Sequence, residues 1–293
     1  VNITPVSARL RGIAKETEAI VREGQYAAPG GRTVSLADAL DAALAGTRTY
    51  GPEPVPADPG TDRGTRFEVT AESSTQAARR LTLGSTVPVA VLVFASARNP
   101  GGGYLNGAQA QEEAICRASA LYACLLRAPG FYAHHRAERD VFYTDRVIHA
   151  PGVPVFRDER GALLAAPYTV GFLTSPAPNA GVIHRSSPQE AHRIPGVLAD
   201  RAERVLETAV ACGYRRLVLG AWGCGVFQND PVEVAGAFRQ LLTCEGRFAG
   251  HFEEVVFAVL DRTGQGPALR AFRDAFEAGA PTRTGASSTR TTP

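Results

Sequence analysis

Methionine is absent from this sequence of 293 residues, and tryptophan occurs once. The chain begins at Val1, so an initiator methionine removed or left unnumbered is the expectation. No run of about 18 apolar residues exists, which excludes a membrane-spanning helix. The first ten residues hold no apolar core of the signal-peptide kind, so a cytoplasmic location is expected. The five cysteines are odd in number and include no CxxC pair. That pattern fits neither a disulfide framework nor a zinc cluster, and suits a reducing compartment. HExxH is missing too, and the adjacent His134 and His135 point different ways on a helix, so no metal is expected. An excess of one charge is also lacking. The 31 basic and 29 acidic residues leave +2, too balanced for direct DNA binding or a membrane surface. Most of the basic residues are arginine, and Arg79-Arg80 and Arg215-Arg216 read as solvated faces of helices or turns.

The hydrophobic fraction of 44% supports a sizeable core, and the length fits one α/β domain with an extension. Leu10, Ile13, Ala14, Ile20 and Val21 recur at helical spacing and predict a helix over 3–25. A second is expected over 36–46, capped by Ser35. Four prolines then mark 50–64 as a connecting loop. From about residue 66 strands and helices alternate. Strands are expected at 67–71, 89–94, 147–149, 168–173, 216–221 and 254–260. Helices are expected up to 83 behind a Ser73-Ser74-Thr75 cap, and at 108–127, 188–212, 231–244 and 267–277. Such alternation implies a largely parallel sheet with helices on both faces. The division expected is an N-terminal helical extension over 1–65, a catalytic domain over 66–279 and a disordered tail over 280–293.

The most informative stretch runs from Asn99 to Glu113 and follows the buried strand 89–94. Ligands of open α/β sheets bind beyond the carboxyl ends of strands. Gly101, Gly102 and Gly103 let the backbone approach a ligand closely, and their N–H groups near a helix start favour a phosphate or diphosphate. Gln111, Glu112 and Glu113 open the following helix. Acidic residues are favoured there by the helix dipole alone. The glycine cradle and the apolar Ala114-Ile115-Cys116 beyond the pair point instead to a site. Adjacent helix positions project about 100° apart, so these carboxylates cannot face each other across a sugar as the usual glycosidase pair does. One residue must make the proton transfers while the other holds substrate.

The second stretch, Gly220 to Pro231, also follows an apolar strand, and Asp230-Pro231 opens a helix in the Ncap–N1 arrangement. A tight strand-to-helix turn and a phosphate cradle both fit its glycines. Two such loops at two strand ends would clamp a diphosphate. Cys224, near a helix start, reads as a compact loop residue or as an activated nucleophile without an evident partner. Asp158 reads as a surface ion pair, and Phe257 as core or adenine contact. There is no GxxxxGK[ST] motif and no lysine near either loop, which argues against a P-loop enzyme.

The glycine triplet followed after seven residues by Gln111-Glu112-Glu113 resembles the signature of poly(ADP-ribose) glycohydrolases, in the shorter, bacterial-type branch. The resemblance spans about 67–277, and the two loops carry its specificity. It implies a three-layer α/β/α macrodomain-like fold with a mixed, largely parallel sheet. It implies Glu113 as proton donor and then base, and Glu112 on the sugar hydroxyls. Asn99 matches the contact to the distal ribose. Gly223, Cys224, Gly225 and Val226 match the donors to the diphosphate, and Phe227 the aromatic on the ribose. Gly101, Gly102, Gly103 and Gln111 complete the expected contact set. No cofactor is implied. Poly(ADP-ribose), ADP-ribose and ADP-ribosylated proteins are the implied partners, and reversal of ADP-ribosylation in the DNA damage response the implied setting. The N-terminal extension is implied to cap the adenosine end and to restrict cleavage to the chain terminus. A non-catalytic ADP-ribose-binding macrodomain uses the same loops and stands as the alternative, as does hydrolysis of an ester-linked protein–ADP-ribose bond.

Overall fold

The computed structural model describes residues 5–60 and 64–277. The expected disordered tail lies outside the described residues. The chain opens with α1 (Pro5–Glu23), the hairpin β1 (Gln25–Ala27) and β2 (Thr33–Ser35), α2 (Ala37–Gly46) and β3 (Arg48–Tyr50). Next come β4 (Arg66–Thr70), α3 (Ser74–Thr82), β5 (Val89–Phe94), α4 (Gln111–Ala118), α5 (Leu121–Leu125) and α6 (Pro129–Glu138). The long strands β6 (Val147–Arg157) and β7 (Leu163–Ser175) follow, then α7 (Ala180–Ser186) and α8 (Ile194–Ala211). β8 (Arg216–Leu219), α9 (Pro231–Leu242), β9 (Glu254–Ala258) and α10 (Pro267–Phe276) close the described chain.

Seven strands form one sheet in the order β3-β6-β7-β5-β8-β9-β4. The pairings β7/β5, β5/β8, β8/β9 and β9/β4 are parallel, while β3/β6 and β6/β7 are antiparallel. The centre of the sheet is buried on both faces, as its uninterrupted apolar strands require. Along β5, Val89, Val91 and Val93 enter one core with residues of α1 to α6. Ala90 and Leu92 enter the other core with residues of α7 to α10. The two-residue side-chain period thus produces the three expected layers. Ser73 caps α3 as expected, in a reciprocal box with Gln76, an arrangement worth about 1 kcal/mol.

Several expectations are corrected. The helix expected over 108–127 is two helices, α4 and α5. Ser119 between them is extended and bridges to Val155, and Ala120 N–H bonds Pro154 O, so contact with β6 breaks the helix. The turn-prone Ala150-Pro151-Gly152 lies inside β6, where a register shift between Ala150 and Val153 absorbs it. Ser35 belongs to β2 and bonds only Ala37 N–H, while Leu36 takes the N-cap position of α2 without a side-chain cap. The segment expected as a helical extension also supplies β1, β2 and the edge strand β3, and its Ala14, Ile20, Tyr26 and Ala43 share a core with the sheet. Arg216 is not a solvated residue: it donates to Glu254 and to Leu81 O. Asp158 accepts the N–H groups of Arg160 and Ala162 in the β6–β7 turn. Of the two readings of Phe257, the core one fits: it is buried and stacks on Phe276 at 4.1 Å.

Candidate active site

β5 and β8 are adjacent and parallel, so the loops that follow them open on the same edge of the sheet. The first loop is folded around the start of α4. Gln111, at its first position, is wholly used within the protein. Its Oε1 accepts Phe94 N–H at 2.9 Å, and its Nε2 donates to Leu92 O and Ser74 Oγ. The substrate contact expected of Gln111 is therefore replaced by an anchor that fixes α4 to β5 and α3.

Glu112 is 2% exposed. Its Oε2 accepts Ser96 N–H at 2.6 Å and also the N–H of Gly101, while Oε1 is buried without a partner. Burial, and to a lesser degree the Glu113 charge, push this carboxyl well above the usual range, against those two N–H bonds. The carboxyl thus holds the 96–101 loop through Oε2, while the unpartnered Oε1 leaves room for the sugar contact expected of Glu112. Glu113 differs. Its Oε1 accepts Gly103 N–H at 2.9 Å, and its Oε2 has no partner among the described residues. Arg117, one turn further on, donates to Ala108 O.

The glycine triplet serves these carboxylates. Gly102 sits at φ +56°, and a Cβ there would stand 2.5 Å from Glu113 Oε1. Gly102 N–H bonds Asn99 O and Gly103 N–H bonds Glu113 Oε1, while Gly101 N–H faces the Glu112 carboxyl, so the triplet's donors turn into the protein. The Gly102 and Gly103 donors expected to cradle a diphosphate are instead bonded to Asn99 O and to the Glu113 carboxyl of α4. Asn99 is exposed, and its side chain has no partner among the described residues.

The second loop is open. The N–H groups of Gly223, Gly225, Val226 and Phe227 have no acceptor among the described residues. Cys224 N–H is the exception, bonded to Ala221 O, so Cys224 is not among the free donors. Its thiol is pushed up to about 12 by burial and the Asp230 charge, which leaves it protonated and removes the nucleophile reading. Gly223 has φ +72° and lies against Asn229 and Ala177. The buried Asn229 donates to Pro178 O and Gly223 O and pins the turn. Asp230 caps α9 by accepting Val232 N–H, with Pro231 next, as expected.

Further residues at this edge carry no motif in the sequence. Ser96 N–H and Tyr104, whose hydroxyl bonds Glu18 and Ala14 O of α1, tie the Glu113 loop in place. Tyr143 lies 5.9 Å from Phe227 between ring centroids, and the Arg98 guanidinium sits over the Tyr143 ring at 5.8 Å from its centroid. Among the described residues no group of three or more His, Cys, Asp or Glu is arranged to hold a metal ion. No helix among them is long and apolar enough to cross a membrane.

A mixed sheet with a carboxylate helix at one strand end and an open N–H loop at the next defines a macrodomain-like α/β fold with a hydrolase type of site. Residues 14–158 match the family model described as microbial-type PARG (poly(ADP-ribose) glycohydrolase), catalytic domain. The crystal structure of poly(ADP-ribose) glycohydrolase from Thermomonospora curvata is similar, with 50% identity and TM-score 0.86 over 92% of this chain and 100% of that one. The same enzyme bound to the inhibitor ADP-HPD matches at 50% identity and TM-score 0.85, again over 92% and 100%. Poly(ADP-ribose) glycohydrolase from Deinococcus radiodurans in complex with ADP-ribose matches at 46% identity and TM-score 0.75, over 82% of this chain and 98% of that one. No curated protein matches the chain. The chain belongs to the microbial-type poly(ADP-ribose) glycohydrolase family.

Proposed function

We propose that the chain hydrolyses the ribose–ribose O-glycosidic bond of poly(ADP-ribose) and releases ADP-ribose, with Glu113 as both acid and base. The observation that carries this is the asymmetry of the Glu113 carboxylate, one oxygen fixed by Gly103 N–H and the other without a protein partner. In this reading the terminal diphosphate lies on the N–H groups of Gly223, Gly225, Val226 and Phe227, as anions do at such loops. Asn99 and the Phe227 ring hold the distal ribose. Glu113 protonates the 2′ oxygen of the leaving ribose as its bond to the anomeric carbon breaks, and positive charge develops on the ring. The resulting carboxylate then takes a proton from the water that adds to that carbon. Glu112 supports the reaction indirectly by holding the loop that carries Asn99. Residues 66–279 carry the chemistry, and residues 1–65 extend it.

Exo action from the chain terminus belongs to the same reading and is supported by α1, which packs beside the Glu113 loop through Tyr104 and adds bulk on that flank. ADP-ribosylated proteins as partners, a cytoplasmic location and a place in the DNA damage response follow from the family likeness. The test is release of ADP-ribose from free polymer. Glu113→Gln lowers turnover about a thousand-fold and leaves ADP-ribose affinity within about two-fold. A wild-type chain that binds ADP-ribose and leaves polymer intact is a reader instead. Faster cleavage of singly modified protein than of polymer favours the ester-linked substrate.

A further inference from the structure

Phe227 is held by a neighbour that lies outside every motif. Tyr143 follows α6 and has φ +60°, a left-handed backbone that bulky side chains rarely adopt. Four described non-glycine residues have positive φ, and two of them lie at the contact between the Tyr143 and Phe227 rings: Tyr143 itself, and Gln228 next to Phe227. Such conformations persist only where the surroundings impose them, and they gather at functional sites.

The surroundings of Tyr143 do impose it. Phe142 is buried, its N–H bonds Asp140 Oδ1, and Arg193 lies over its ring at 4.4 Å. On the other side, Thr144 bonds His135 Nε2 through both its hydroxyl, at 2.7 Å, and its N–H, at 3.3 Å. His135 Nδ1 faces Phe131 O, which sets Nε2 as the acceptor. Asp145 pairs with the buried Arg201 at 2.9 Å. Both neighbours are therefore locked, and the half-buried Tyr143 ring is aimed at the site. It contacts Phe227 on the second loop. Arg98, next to Asn99 on the first loop, packs over it and donates to His135 O.

We propose that Tyr143 is a positioning residue: its ring, held by the locked 142–145 turn, fixes Phe227 against the Arg98–Asn99 loop and so sets where the distal ribose meets Glu113. The proposal rests on the glycohydrolase reading for its effect on turnover, but its effect on ADP-ribose binding is separable. Asparagine tolerates the left-handed backbone and removes the ring, while phenylalanine keeps the ring. Tyr143→Asn therefore lowers kcat on polymer about ten-fold, with KM changed less than about two-fold, and weakens ADP-ribose binding about five-fold. Tyr143→Phe restores both to within about two-fold of wild type. Combined with Phe227→Ala, Tyr143→Asn adds little further loss, because both act through one contact. Equal kcat and ADP-ribose affinity in wild type, Tyr143→Asn and Tyr143→Phe overturns the proposal, as does additivity with Phe227→Ala. If wild type leaves polymer uncleaved, the hydrolase reading fails, and ADP-ribose affinity alone decides the role of Tyr143: a loss in Tyr143→Asn that Tyr143→Phe restores supports it, and no loss overturns it.

Discussion

The two glycine-rich loops share composition and location but use their backbone donors in opposite ways. In the loop after β5, the N–H groups of Ser96, Gly101 and Gly103 turn inward onto Glu112 and Glu113. In the loop after β8, the N–H groups of Gly225, Val226 and Phe227 are left for a partner from outside. The difference comes from what stands behind each loop. α4 places two carboxylates against the first, whereas a buried amide, Asn229, braces the second from below. A glycine loop binds an external anion only where its N–H donors are not already taken by acceptors within the protein.

The largest expected effect that sharpens this contrast is at Gly102. Gly102→Ala forces a Cβ to within 2.5 Å of Glu113 Oε1 at φ +56°, so the carboxylate or the loop must move. A displacement of this size lowers kcat on polymer about a hundred-fold while ADP-ribose affinity changes little. Gly223→Ala is the matching experiment on the open loop. Its Cβ meets Ala177 Cβ at 2.6 Å with φ +72°, and here affinity for ADP-ribose falls about ten-fold, measured by calorimetry. If the two variants exchange these phenotypes, the division of labour is broken.

A smaller effect concerns charge. Glu112 is raised in the fold, so the unfolded chain releases this proton first as pH rises above 4.5, and the native state loses stability from there through the raised folded value. Glu112→Gln cannot ionise. Its Tm advantage over wild type therefore grows from pH 4 towards pH 8, and a constant difference contradicts the inward placement of Glu112. The smallest effect is at Gly225, where a Cβ meets nothing within 4 Å and φ is not positive. Gly225→Ala keeps ADP-ribose affinity within about two-fold, because the N–H is retained.

Much of this was legible in residues close together in sequence. The strand before each loop, the Glu112–Glu113 pair at a helix start and the Asp230-Pro231 cap all follow from local pattern. The direction of the backbone donors was not, because it depends on where α4 packs. The role of Gln111 was hidden for the same reason: its partners Ser74 and Leu92 lie 37 and 19 residues away. The break between α4 and α5 is set by Val155 across the sheet, and no helix-breaking residue marks it. Tyr143 sits in a turn with no glycine to announce its positive φ, since the lock comes from His135 and Arg201.

The most direct measurement is a crystal structure of the chain with ADP-ribose. The account predicts diphosphate oxygens within about 2.7–3.2 Å of the N–H groups of Gly225, Val226 and Phe227, and Glu113 Oε2 within the same reach of the distal ribose. A diphosphate seated on Gly101–Gly103, or a Glu113 carboxylate remote from that ribose, contradicts it.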